Sequence, residues 1–236
     1  MANDEIESLI KQSAKDVVNL LNGESSSCRL IYPKGNKNKR RCSEQELKQI
    51  FIENVCKNGR FHYSVETPSE FAYNFKDKSN PQIFFNEAKT QGKPASRIDL
   101  TLYENGDNNA PKYHIEFKNG QAEESSIKKD MLKMAFEPSK GNYFFHIIVT
   151  GGNDTNSSTR DALYGKFSES YQYAKKNAKK KEDENRTVND VTVYILFVNA
   201  GKNSILEKHT FSKEKLEWTD STKIVIPRAD AECKTS

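Results

Sequence analysis

The segment 97-RIDLTLYENGDNNAPKYHIEFK-118 decides the fold. Ile98, Leu100 and Leu102 alternate with Arg97, Asp99, Thr101 and Tyr103, and Tyr113, Ile115 and Phe117 alternate with Lys112, His114, Glu116 and Lys118. A period of two on each side of the turn-rich linker ENGDNNAP predicts a two-stranded hairpin with one apolar face per strand. With the turn centred between residues 107 and 108, Asp99 faces Glu116 and Arg97 faces Lys118. A slip of two residues leaves the same side chains on the same face. Asp99, Glu116 and Lys118 therefore converge on the polar side of one sheet.

Like charges placed opposite each other on a sheet are unfavourable. Two facing carboxylates need a reason, and a divalent cation supplies one. Hard ions such as Mg²⁺, or Mn²⁺ in its place, bind through one or two carboxylates plus water and phosphate oxygens. A lysine two residues from one carboxylate points to the same side. It can orient or deprotonate an attacking water and offset charge building at phosphorus. The alternative is an exposed polar sheet face, on which a Glu–Lys pair contributes little.

Outward from the hairpin, Ser43 and Glu46 form a capping box for a helix with an apolar stripe at Leu47, Ile50, Phe51 and Val55, ended by Asn58-Gly59. Residues 60–75 read as one or two strands broken at Pro68. Residues 76–95 read as loop with a short apolar piece, 83-IFF-85. After the hairpin come a helix over 123–137, a strand over 143–150, a long polar helix over 157–182, a strand over 191–198 and a weaker one near 223–226. Upstream, Ile6, Leu9, Ile10, Val17, Leu20 and Leu21 mark a helix over 4–22 stopped by Gly23, and 24–41 is a loop, Ser-rich and then basic. No repeat or interdomain linker divides residues 1–236. Interspersed strands and helices, with inner strands apolar on both faces, predict an α/β arrangement: a central mixed sheet flanked by helices in a single domain.

The pattern 99-D…116-EFK-118, on two amphipathic strands, resembles the PD-(D/E)XK nuclease superfamily. A helix carrying Glu (44-EQELKQIFIENV-55) precedes the hairpin, and a helix (123-EESSIKKDMLKM-134) and a strand (143-YFFHIIVT-150) follow it. That order matches the superfamily's αβββαβ core, over residues 43–150. Ile98 stands where the pattern has proline. The resemblance implies a restriction-endonuclease-like fold and a Mg²⁺-dependent (or Mn²⁺-dependent) endonuclease, with DNA ahead of RNA as substrate and a restriction or defence role common among relatives of this size. It makes Asp99 and Glu116 metal ligands and Lys118 the catalytic lysine. Many members add a glutamate from the first core helix, for which Glu46 and then Glu53 are the candidates. Gln121 is a further site candidate. The alternative is a nucleic-acid-binding or protein-interaction domain on the same fold without catalysis. Homodimers are common among such enzymes where both strands of a duplex must be cut, so a homodimer is a further expectation.

Arg97, Lys128, Lys129 and the end of the basic run 34-KGNKNKRR-41, Arg40 and Arg41, are the candidate phosphate contacts. Lys133 stands with Lys128 and Lys129 close to the hairpin, the run 175-KKNAKKK-181 is a further candidate, and His114 reads as a half-exposed strand residue beside Glu116. The charge balance, 37 Lys+Arg against 33 Asp+Glu, permits nucleic-acid binding without demonstrating it. Cys28, Cys42, Cys56 and Cys233 form no C-x-x-C pair and have no histidine at zinc spacing, which predicts reduced thiols in a cytoplasmic protein. The acidic start MANDEIESL argues against a targeting peptide. No apolar run approaches the roughly 20 residues of a membrane span. Gly151-Gly152 is followed by no G-K-[ST], which argues against an NTPase, and the Asn153, Asn156 and Asn185 sequons read as chance matches.

Overall fold

The computed structural model describes residues 2–34, 40, 42–77, 81–84, 95–104, 110–150, 157–179, 188–199, 203–212 and 219–227. The hairpin strands form as β3 (Ala95–Glu104) and β4 (Tyr113–Asn119). Leu100 pairs with Ile115, Thr101 with His114 and Leu102 with Tyr113, the register that the turn centre implies. Around them lie α1 (Ala2–Asn22), α2 (Glu44–Asn58), β1 (Phe61–Asn74), β2 (Gln82–Phe84), α3 (Glu124–Phe136), β5 (Gly141–Thr150), α4 (Ser157–Lys179), β6 (Val191–Asn199), β7 (Ser204–Phe211) and β8 (Thr219–Ile226). All eight strands join one mixed sheet in the order β2-β1-β3-β4-β5-β6-β7-β8. The β4–β5 and β5–β6 pairs are parallel, and the others are antiparallel.

Helices cover both faces. On one side, Leu100, Leu102, Ile115, Phe117, Phe145 and Leu196 pack against the apolar stripes of α1 and α2. Phe51 of α2 meets Phe117 edge-on at 5.7 Å between ring centroids. Each such fully buried ring contributes about 1.5–3 kcal/mol. On the other side, Phe144, Val193, Ile195 and Phe197 pack against Ile127, Met131 and Met134 of α3 and Phe167 of α4. Helix α2 starts as its sequence requires: Ser43 Oγ accepts from Glu46 N and Glu46 Oε2 accepts from Ser43 N. It stops at Gly59, whose φ of 70° suits glycine. Helix α1 reaches β6, β7 and β8, and its Glu7 pairs with Lys208 of β7 at 2.6 Å.

Three strand expectations change. Pro68 does not break β1, which runs through it. It pairs with Arg97 on one side, and β2 pairs only with Ala72–Asn74 on the other, so Pro68 occupies an open edge where no donor is missed. The piece 83-IFF-85 contributes to β2. Strand β7, SILEKHTF, lies in a stretch read as having no strand. Its charged residues weaken the period, although Leu206 and Glu207 are both buried. Among the described residues no helix is long and apolar enough to cross a membrane. Cys28, Cys42 and Cys56 are free thiols, and Cys233 and the three sequons lie outside the described residues.

His146 of β5 is fully buried, and its Nε2 donates to Gly120 O at 2.6 Å. Burial lowers its pKa to about 4, and Lys118 and Lys166 act in the same direction against the Gly120 bond. The unfolded chain therefore binds more protons than the fold between about pH 4 and 6.5. Stability is full above that window and falls as pH drops through it, by about 2 kcal/mol at pH 5 from His146 alone. Urea midpoints between pH 5 and 7 are expected to change less steeply in His146→Gln.

Candidate active site

The two hairpin strands part at Asp99. Their ladder ends at Leu100–Ile115, although both strands continue beyond it. In place of the next backbone bond, Asp99 Oδ2 accepts from Phe117 N at 2.9 Å. The buried face changes at the same point: Leu100 joins the core under α1 and α2, whereas Ile98 joins the core under α3 and α4. The result is a fork between β3 and β4, and charged side chains fill it.

Lys133 of α3 enters the fork. Its Nζ donates to Arg97 O at 2.6 Å and Glu116 Oε1 at 2.5 Å, and pairs with Asp130 Oδ1 at 2.9 Å. Lys118 Nζ pairs with Asp130 Oδ2 at 2.6 Å. Glu116 and Asp130 are 2% and 1% exposed. From the other side, Lys48 of α2 pairs with Asp99 Oδ1 at 3.1 Å and Glu66 Oε1 at 3.0 Å. Glu66 is the one non-glycine residue of positive φ among those described, at 50°. It lies opposite Asp99, between the Val65–Leu100 and Thr67–Ile98 pairs. Left-handed backbone costs a side-chain-bearing residue roughly 1–2 kcal/mol.

Glu44, one helical turn before Lys48, completes the set. Burial raises its carboxyl pKa; Lys118 opposes the rise, and Asp99 and Asp130 add to it. Five carboxylates thus share one region with three ammonium groups. Burial also raises the Glu116 carboxyl well above the usual range, against Lys133 and with the help of Asp130 and Asp99. Burial works against charge on Lys118, but Asp130, Glu116 and Glu44 outweigh it and hold the pKa high. Lys133 is likewise held up by Glu116 and Asp130 against burial, and Asp130 is held down by Lys133 and Lys118. The lysines stay ammonium, Asp130 stays carboxylate, and Glu116 takes up a proton more readily than Asp130 does.

Several expected site residues are elsewhere. Glu46 is not in the cluster, because its carboxylate is spent on the Ser43 cap. Glu53 accepts from Arg29 N at 2.7 Å. The helix glutamate at the fork is Glu44, which lies off the helix side that Glu46 and Glu53 share with Ile50. Asp130 was also missed, and Lys133 was read as a phosphate contact. Their signal was an i,i+3 opposite-charge pair flanked by the buried Met131 and Met134. His114 is buried rather than half-exposed, with Nδ1 on Thr101 Oγ1 at 3.0 Å and Nε2 on Pro138 O at 3.2 Å.

The Arg97 side chain is exposed, as is Gln121. Lys128 pairs with Glu124 at 3.2 Å and Lys129 reaches Asp130 at 3.7 Å. Arg40 donates to Tyr32 O at 3.2 Å in the α1–α2 connection, whereas Arg41 and 35-GNKNK-39 lie outside the described residues.

Among the described residues no three of His, Cys, Asp or Glu stand together at metal spacing. The donor chemistry still suits a hard ion: the fork offers carboxylate oxygens, and burial, with Asp99 and Asp130 adding to it, raises the Glu44 and Glu116 carboxyls. Comparison of the chain with protein-family models, with curated proteins and with solved structures found no match.

Proposed function

We propose that this chain is a metal-dependent endonuclease with a restriction-endonuclease-like core, acting on DNA ahead of RNA. The observation that carries the reading is the fork, which gathers Asp99, Glu116 and Lys118 with Glu44 from the preceding helix. The element order α2-β1-β3-β4-α3-β5, with β2 as a short insertion, supports it. So does the energetic character of the cluster. Burying ion pairs costs several kcal/mol per ion and seldom improves on an apolar core. Perturbed titratable groups around a strained backbone position are characteristic of functional sites.

In this reading Asp99, Glu116 and Glu44 would hold Mg²⁺ or Mn²⁺. The ion, when bound, would supply an acidified water and charge neutralisation at the scissile phosphate. Lys118, kept as ammonium by Asp130, donates hydrogen bonds to the attacking water and to the phosphate oxygen that gains charge. It orients and stabilises rather than removing a proton. Asp130 and Lys133 are positioning residues, Asp130 for Lys118 and Lys133 for Glu116.

The test is cleavage of mixed DNA and RNA with Mg²⁺, Mn²⁺ or EDTA. Wild type is expected to cut only with metal, and folded Lys118→Ala to lose about 10²–10³-fold, the usual cost of one transition-state donor. No cleavage of any substrate, or equal cleavage by both proteins, removes the reading. Glu44→Gln is expected to weaken Mn²⁺ binding about 10–100-fold in a titration, while Glu46→Gln leaves it unchanged.

A second reading is favoured by one observation: Lys48, Lys133 and Lys118 already neutralise Asp99, Glu116 and Asp130. A non-catalytic nucleic-acid-binding or protein-interaction domain would keep such a network for structure alone. As a nucleic-acid binder it would keep or gain affinity in Asp99→Ala, which removes a negative charge.

A further inference from the structure

We propose that the cleft between the end of β1 and the first turn of α3 receives one unpaired nucleobase, stacked on Phe75, with Lys129 passing to the adjoining phosphate. This deepens the nuclease reading and rests on it for the path of the scissile strand.

The cleft has a volume of ≈ 350 Å³ and is lined by Phe75, Pro81, Glu123, Ser125, Ser126 and Lys129. That is the size of a small-ligand site. Its lining supplies what a base requires: Phe75 and Pro81 bring apolar surface for a flat π face, and Glu123, Ser125 and Ser126 bring polar groups for a hydrogen-bonding edge.

Both apolar residues are held in place. Phe75 stacks on Tyr73 with centroids 5.6 Å apart and planes 15° from parallel. Tyr73 is itself fixed by its hydroxyl donating to Glu137 Oε1 at 2.7 Å. Pro81 O accepts from the Tyr173 hydroxyl at 2.7 Å. On the polar side Glu123 stands at the N-cap of α3 without making a side-chain cap bond, and among the described residues its carboxylate accepts a long bond of 3.5 Å from Ser125 Oγ. Its carboxylate can accept from the amino group of a base edge.

Lys129 ties this cleft to the fork. Its Nζ lies 5.6 Å from the Phe75 centroid and 3.7 Å from Asp130 Oδ1, and Asp130 pairs with Lys118. A base on Phe75 takes the ring face that the ammonium covers, and the released ammonium meets the phosphate on the side of the catalytic cluster. Stacking needs a free π face, which a closed duplex does not offer, so the occupant is a single strand or an opened base. DNA and RNA share that chemistry.

The test uses single-stranded DNA and RNA oligonucleotides carrying one 2-aminopurine, and the matching duplexes, in EDTA so that nothing is cut. Wild type is expected to quench the fluorescence of the single strands and to bind them more tightly than duplex. Phe75→Leu, which keeps apolar volume, is expected to abolish quenching and weaken binding about 5- to 100-fold. Phe75→Trp is expected to restore both. DNA and RNA are ranked by their two affinities. Equal quenching and affinity in wild type and Phe75→Leu overturn the proposal, as does tighter binding of duplex without quenching. Binding is read without cleavage. Intact quenching without cleavage by the metal-loaded protein therefore removes only the nuclease reading, and cleavage with quenching independent of Phe75 removes only the cleft.

Discussion

Asp99→Asn is expected to reduce metal-dependent cleavage by about three orders of magnitude or more, the several kcal/mol that a bound ion contributes to the transition state. The fold is expected to survive. The amide oxygen of asparagine can still accept from Phe117 N, the bond that sets the fork at 2.9 Å. Lys48 keeps Glu66 at 3.0 Å as its second partner. The structural cost is about 2 kcal/mol, that of one hydrogen bond to a charged group. The anionic oxygen donor is lost outright. Cleavage rates beside urea denaturation curves separate the two effects, and cleavage within tenfold of wild type would remove Asp99 from the site.

The largest effect on stability is expected from Lys133→Met. One ammonium, 3% exposed, serves Glu116, Asp130 and the Arg97 carbonyl. Methionine fills similar volume and leaves two carboxylates buried without it. Breaking a buried pair in this way costs about 3–5 kcal/mol. The deficit is expected to depend on pH. With Lys133 gone, the folded-state pKa of Glu116, already above its unfolded value, rises further. Relative to wild type the variant therefore recovers as pH falls and loses ground as pH rises through that folded pKa. Adding Glu116→Gln and Asp130→Asn removes the stranded charges, and the triple variant is expected to regain most of the loss in urea unfolding at pH 7. A single variant as stable as wild type would show that the carboxylates find other partners.

The hairpin was legible because its signal is local. Period-two alternation and the turn centre together give the Leu100–Ile115 register, with no knowledge of the rest of the chain. The fork was not legible. Ile98 continues the apolar alternation of Leu100 and Leu102, yet packs on the opposite core, because the strand leaves the ladder at Asp99. That departure depends on Lys133 and Lys48, which lie far away in sequence. Glu44 and Glu46 illustrate a second limit. Both fall in the first turn of α2, where an acid suits the helix dipole. Only the packing of α2 across β4 shows which one looks toward Lys118. Pro68 was read by its intrinsic conflict with strand pairing, and that conflict vanishes at an open edge.

The contact of α1 with the far end of the sheet bears on how the chain is made. Glu7 and Lys208 are 201 residues apart, so at ~5–20 residues per second the ribosome needs roughly 10–40 s to supply the second after the first. The stripe of Ile6, Leu9, Ile10, Val17 and Val18 ends in a core with Leu196, Val198, Leu206 and Ile226, none of which exists during most of that time. Among the early-made elements, α2 is the helix it packs against. Helix α1, made before the strands it packs on, is thus among the last elements to find its full seat, and nascent chains halted before β7 are expected to offer that stripe to chaperones.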